Sequence, residues 1–296
     1  MSPLKPWFLH RPRQLLLRVL RQFHQPERAV VRLPWGLHLS ISPRRAIGRA
    51  IWHTGVYDLA VTEALYRLVH PGAVCLDVGA NIGCLTGLLA LRAGASGSVQ
   101  AFEPFDPNHA LLLHNLRLAA QDGKSLAPVT VRRLGLSDHA GSASLVFEDA
   151  ARDVDVQVNE GTPYVGTPAA GGRCVEIELA RLDDVLGPAH VDVMKLDVEG
   201  HELAVLQGAA RTLAERRITS IVFEDHTGAH SAVCELLTAT GYHLRRLVWT
   251  LSGPRLLAAD AEDPAQRQES PNYLATLDPE LLPRLEVQGW HCLSAA

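Results

Sequence analysis

The stretch V-C-L-D-V-G-A-N-I-G, residues 74–83, decides the fold. Val74, Cys75, Leu76 and Val78 form a short apolar run bracketed by Gly72 and Gly79. From Gly83 the chain continues C-L-T-G-L-L-A-L-R with helical spacing, so the segment reads as a buried strand, a glycine turn and a helix. Gly79 and Gly83 would let backbone pass close to a ligand where a Cβ could not. A second apolar run, 99–102, ends in Glu103-Pro104. In doubly wound folds an acidic residue at that second strand tip takes the hydroxyls of a ribose.

The turn is D-x-G-x-x-x-G and not the G-x-G-x-x-G of a dinucleotide site. Asp77 stands near the strand tip, where a pyrophosphate needs bare backbone amides, and its carboxylate would repel phosphates. It would attract a cation, and S-adenosylmethionine carries an α-ammonium and a sulfonium on an adenosine frame. The alternative is a glycine turn of any parallel α/β domain.

The 296 residues suffice for one large core or two modest ones. With 28 basic and 32 acidic side chains the formal charge is -4, and no whole-chain basic field calls for nucleic acid. No apolar run approaches the ~20 residues needed to span a bilayer. The run 15–20 is interrupted by Arg18 and has no small-residue cleavage site after it, unlike a secretory signal. Cys75, Cys84, Cys174, Cys234 and Cys292 are widely spaced and odd in number, which fits free thiols in a reducing, cytoplasmic setting.

Charge is uneven along the chain. Lys5, Arg11, Arg13, Arg18, Arg21 and Arg28 face only Glu27 in the first thirty residues. Leu15, Leu16, Val19, Leu20 and Phe23 share one face of a helix whose other face carries Arg18, Arg21 and Gln22. Residues 11–24 therefore offer either a peripheral contact with an anionic membrane or a stripe packed on the neighbouring domain. Two alternating runs about P-W-G predict a β-hairpin capping the main sheet. Residues 1–43 are read as this basic helix and hairpin extension, and 44–296 as the main domain.

Residues 44–69 have helical spacing broken at Gly55, and Tyr57 and Asp58 stand where they would close over the methionine end of the ligand. A helix over 109–120 and a third strand over 129–134 follow, then G-L-S-D, where Leu136 would stack on an adenine. Residues 143–147 and 175–179 alternate as exposed strands do, and the polar loop between them, 148–173, is a candidate substrate lid. V-D-V-M-K-L-D-V-E-G-H-E, residues 191–202, is a strand whose end is crowded with Asp197, Glu199, His201 and Glu202. A fifth strand, 218–223, ends in Glu224-Asp225-His226, and 241–249 with 272–277 complete a seven-stranded sheet. Asp77, Glu103, Asp197, Glu199 and Glu224 thus converge at one sheet edge. Lys195 is one of only three lysines, with Lys5 and Lys124, and its place inside a strand suits a slender ammonium that reaches a carboxylate.

D-V-G-A-N-I-G, A-F-E-P, L-D-D at 182–184, K-L-D-V-E-G-H-E-L-A-V-L-Q-G-A at 195–209 and N-Y-L-A resemble the FkbM family of class I methyltransferases, over residues 44–277. The resemblance implies an α/β, Rossmann-like doubly wound seven-stranded sheet of order 3-2-1-4-5-7-6, its last strand antiparallel. It also implies O-methylation, with S-adenosylmethionine, of a hydroxyl on a sugar or polyketide-type acceptor of the glycoside, glycolipid or macrolide kind. Carried over, Asp77, Gly79, Asn81 and Gly83 would hold the methionine part, Glu103 the ribose, and Leu136 with Ser137 the adenine. Lys195, Asp197 and Glu199 would line the reaction centre. Asp58 stands where the family has a glutamate.

An alcohol must lose its proton to attack, and the candidate bases are Asp197, Glu199 and His201. By strand alternation Lys195, Asp197 and Glu199 should share a face while Val198 points away, and the ammonium should keep both carboxylates ionised. No metal motif stands out, although Asp197, Glu224 and Asp225 are oxygen ligands suited to a magnesium-assisted route. An NAD-dependent oxidoreductase and a non-catalytic binding module remain as alternatives.

Overall fold

Alternation along residues 74–78 sorts the molecule into two cores. Cys75 packs into one apolar cluster and Leu76 and Val78 into another, on opposite faces of one sheet. The computed structural model describes residues 6–21, 25–147, 164–167, 173–261 and 271–294. The expected lid, 148–173, lies almost wholly outside the described residues.

The strands in chain order are β1 (Ala29–Arg32), β2 (His38–Ile41), β3 (Val74–Val78), β4 (Ser98–Phe102), β5 (Val129–Arg132), β6 (Gly135–Leu136) and β7 (Gly141–Phe147). They continue with β8 (Tyr164–Val165), β9 (Arg173–Ala180), β10 (Val191–Leu196), β11 (Ile218–Glu224), β12 (His243–Thr250), β13 (Gly253–Ala258) and β14 (Asn272–Thr276). The main sheet runs β13-β12-β14-β11-β10-β3-β4-β5. Its five members from β11 to β5 are parallel, and β14 is antiparallel to both neighbours.

The sheet has eight strands where the sequence predicts seven. The additional one, β13, folds back on β12 as an edge hairpin, and its Pro254 suits an edge. A second sheet, β6-β9-β7-β8, gathers the alternating segments, with Glu176 and Glu178 exposed on β9. Leu136 belongs to this sheet rather than to the third main strand, which ends at Arg132.

The helices that matter here are α1 (Pro6–His10), α2 (Pro12–Arg21), α3 (Ala46–Thr54), α4 (Leu59–Leu68), α5 (Cys84–Ala93) and α6 (Asp106–Ala120). The β1–β2 hairpin and the helices α3 to α5 cover one face, Trp35, Leu37 and Ile41 packing with Leu65 and Leu88. Helix α3 stops at Gly55, in the left-handed region at φ 82. Helix α4 starts at Asp58, whose carboxylate accepts the Val61 N–H at 3.1 Å. Inside α4, Glu63 is fully buried but paired: it accepts from Arg67 Nε at 2.6 Å and from the backbone N–H groups of His291 and Cys292. Arg67 also donates to the carbonyls of Val287 and Gly289, so this ion pair ties the C-terminal segment to α4. Removing either partner would strand a buried charge. All five cysteines are free thiols.

Candidate active site

The carboxyl ends of β3, β4 and β10 meet at an open cleft. Between β3 and α5 the chain takes three left-handed residues, Gly79 (φ 77), Asn81 (φ 48) and Gly83 (φ 84). The structure adds a packing reason for the glycines to the one the sequence suggests. A Cβ on Gly79 would lie 1.9 Å from the carbonyl oxygen of Asp197, and one on Gly83 would lie 2.4 Å from Leu112. The first glycine therefore lets two strand tips touch, and the second lets α6 pack. Gly79 and Asn81 line the cleft, whereas Gly83 lies behind it.

Asp77 does not reach the cleft. It is fully buried, accepts from Thr86 Oγ1 at 2.5 Å, and lies 3.6 Å from Lys195 Nζ. Burial raises its pKa, although Lys195 and Thr86 oppose the shift. Lys195 stands between it and the cleft, donating to the carbonyls of Gly79 at 2.7 Å and Val78 at 3.3 Å. Its ammonium also lies 3.3 Å from Asp197. Burial alone would lower the lysine pKa, but Asp197 and Asp77 outweigh it and hold the ammonium charged.

Glu103 lines the cleft from the tip of β4. Its two oxygens accept the N–H groups of Asn81 at 2.8 Å and Phe105 at 2.9 Å. Burial nevertheless pushes the carboxyl up to about 7. Beside it, in the first turn of α6, Asn108 is buried against the cleft with its Oδ1 unpartnered. The sequence reading missed Asn108; the available signal is a short polar amide one turn past an acidic strand tip.

The other side is built by β10 and its sequel. The strand ends at Leu196, so alternation does not carry through to Glu199, which takes a left-handed φ of 55. Lys195 and Asp197 do meet, but Val198 lines the cleft instead of pointing away, its N–H bound to Glu202 Oε1 at 3.0 Å. Nor does Lys195 keep Glu199 ionised: burial, then Asp197, Glu224 and Glu202, push its carboxyl up to about 8. His201 lines the cleft and meets Ser137 Oγ at 2.9 Å, with its pKa lowered by burial. Leu136 lines the cleft and Ser137 is buried behind it.

Tyr57 faces both this cleft and a second cavity, which Asp58, Glu224, Arg246, Trp249 and Asn272 also line. Burial, followed by Asp197, Asp58, Glu224 and Glu199, keeps its phenol well above its ordinary pKa. Asp58 lies on the second cavity rather than the cleft, bound to the Asn272 amide at 2.9 Å, and burial raises its carboxyl to about 6. Among the described residues one group of metal-competent donors gathers, Glu199, Glu224 and His226, with ligand atoms within 4.8 Å of one another. Of the triad the sequence suggested, only Glu224 belongs to it. Asp197 is paired with Lys195, and Asp225 accepts the Thr227 N–H at 2.7 Å.

A doubly wound sheet with a glycine turn at its first tip and an acidic second tip is Rossmann-like, and its match to a methyltransferase family makes the protein an S-adenosylmethionine-dependent methyltransferase. More narrowly, residues 77–244, over half of the chain, match the methyltransferase FkbM domain, and the chain belongs to that family. It is similar to methyltransferase sdnD of Sordaria araneosa, 29% identical over 219 residues that cover 64% of this chain and 82% of that protein. It is also similar to hexuronic acid methyltransferase AglP of Haloferax volcanii, 30% identical over 187 residues, 60% of this chain and 67% of that one. A solved structure, methyltransferase FkbM from Methylobacillus flagellatus KT, is similar at 16% identity and a TM-score of 0.40, covering 78% of this chain and 56% of that one.

Proposed function

We propose that this methyltransferase acts on a hydroxyl oxygen of a small-molecule acceptor, a sugar or polyketide-type compound. The observation that carries the reading is the junction of the two cavities, where Asp197 and Glu199 on the cleft meet Glu224 and Tyr57 of the second cavity. One cavity suits an adenosine ligand and the other an acceptor, with Asp197 as the proton-accepting group between them. The name of the Haloferax volcanii relative places its own acceptor among hexuronic acids, which favours a sugar hydroxyl here.

The residues present fit S-adenosylmethionine. Glu103 would take the ribose, Leu136 the adenine, and Gly79 with Asn81 the methionine part, while the unpartnered Asn108 amide calls for a polar ligand group. When bound, the cofactor supplies a methyl group on a sulfonium, and the chain's task is alignment in a site that excludes water. Asp197 takes the acceptor proton, held in place by the Lys195 ammonium that the Gly79 carbonyl anchors. Glu199 carries its own proton at neutral pH and donates a hydrogen bond. His201, bound to Ser137, steadies the adenine end rather than removing a proton.

The test is Asp197→Asn. The variant keeps cofactor binding by calorimetry and loses at least about a hundredfold in turnover, the lower end for removal of a general base. Turnover at the parent rate would remove Asp197 from the reaction.

A further inference from the structure

Helix α2 is packed inside out. Its polar face is turned inward, where Gln14 is buried and donates to the His53 carbonyl at 3.1 Å. Arg21 donates to the Trp52 carbonyl at 2.9 Å and stacks 4.1 Å from the Trp52 ring. Both carbonyls belong to the last turn of α3, whose end carries partial negative charge and unsatisfied acceptors. The basic face of α2 therefore caps another helix.

Its apolar side is left outward. Leu16, Leu17, Val19 and Leu20 are 63%, 36%, 49% and 59% exposed, and by helical spacing the exposed Arg13 falls among them. Outward aliphatics on an amphipathic helix call for a partner. Charge indicates which one. Residues 1–57 carry ten Lys and Arg against the single Glu27, a net of +9 in a chain whose total is -4. Arg44 and Arg49 of this segment are exposed, and Arg18, Arg21 and Arg49 act together on His53, lowering its pKa after burial. Four aliphatic side chains fall well short of the roughly 800 Å² per partner of a stable protein interface. A nucleic acid would be met by stacking rings and polar groups, not by leucines.

We infer that the outward face of α2 docks this methyltransferase peripherally on an anionic lipid surface, with the aliphatics in the acyl boundary and the surrounding arginines at the headgroups. No helix among the described residues is long and apolar enough to cross a membrane. Helix α2 rests on α3, whose Ile47 lines the cofactor cleft and whose Ala50 and Thr54 line the second cavity. Docking thus sets both cavities close to the bilayer.

The experiment is co-sedimentation of the full chain with phosphatidylcholine vesicles with and without phosphatidylglycerol, at low and high salt, alongside Leu16→Ser/Leu20→Ser. The parent chain is expected to sediment with anionic vesicles only and to be released by salt. The double variant should partition at least tenfold less while its S-adenosylmethionine affinity by calorimetry stays unchanged. No sedimentation of the parent, or equal sedimentation of the variant, overturns the inference. So does binding to single-stranded RNA that the vesicles do not compete away, or a solution dimer, seen by light scattering, that the double substitution dissociates.

Discussion

Replacing Glu103 with Gln probes the cleft through stability alone, before any ligand is added. Both Glu103 oxygens accept backbone N–H groups, yet burial holds the carboxyl at about 7 against an ordinary 4.5. The unfolded chain gives up this proton near the lower value and the folded chain near the higher. Between them the folded state binds more protons, so stability falls as pH rises through that window. The gap corresponds to about 3 kcal/mol. Glutamine does not titrate, so this part of the decline disappears. It introduces a loss of its own at every pH, because its NH₂ faces one of the two backbone donors and leaves it unpaired, at about 1–3 kcal/mol. Urea unfolding of both ligand-free proteins from about pH 5 to about pH 8 reads the difference. The variant should be the less stable at the acid end and should close or reverse that gap at the alkaline end. Parallel curves would show that Glu103 does not titrate as its burial requires, and the reasoning would fail.

Two further outcomes follow from the strand tips. Gly79→Ala combines a left-handed alanine, at about 1–2 kcal/mol, with an overlap on the Asp197 carbonyl that adds about 1–3 kcal/mol. Denaturant unfolding should show a loss in the summed range, and a value within about 1 kcal/mol of the parent would mean the tips have room to part. Glu199 is protonated below about 8, so kcat/KM should fall above that pH as its hydrogen bond is lost. Glu199→Gln, which resembles the protonated form, should remove the inflection and keep most of the neutral-pH rate; an unchanged inflection would assign it to another group.

What the sequence made legible was local. The run 74–83 dictates strand, turn and helix because its apolar spacing changes period within ten residues, and Glu103 follows from its place at the next strand tip. Lys195 was readable as an odd ammonium inside a strand, and it does meet Asp197. What stayed hidden depends on contacts between distant segments. Asp77 looks like a ligand-facing carboxylate until Lys195 is seen in front of it. The raised Glu199 carboxyl depends first on burial, then on Asp197 and on Glu224, which the fold brings across from β11. Strand β13 was missed because its edge position leaves it half-exposed and free to hold a proline. The orientation of α2 could not be read from its spacing because the carbonyls at the end of α3 compete with the core for its face.

The most direct measurement is mass spectrometry of products formed from S-adenosylmethionine with an isotopically labelled methyl group and a panel of hydroxylated glycosides, uronic acids and macrolides. The proposed chemistry requires the label on an acceptor oxygen, formed by the parent protein and nearly absent with Asp197→Asn at equal cofactor occupancy. Label found on nitrogen or carbon, or label on oxygen at equal rates in parent and variant, would contradict it.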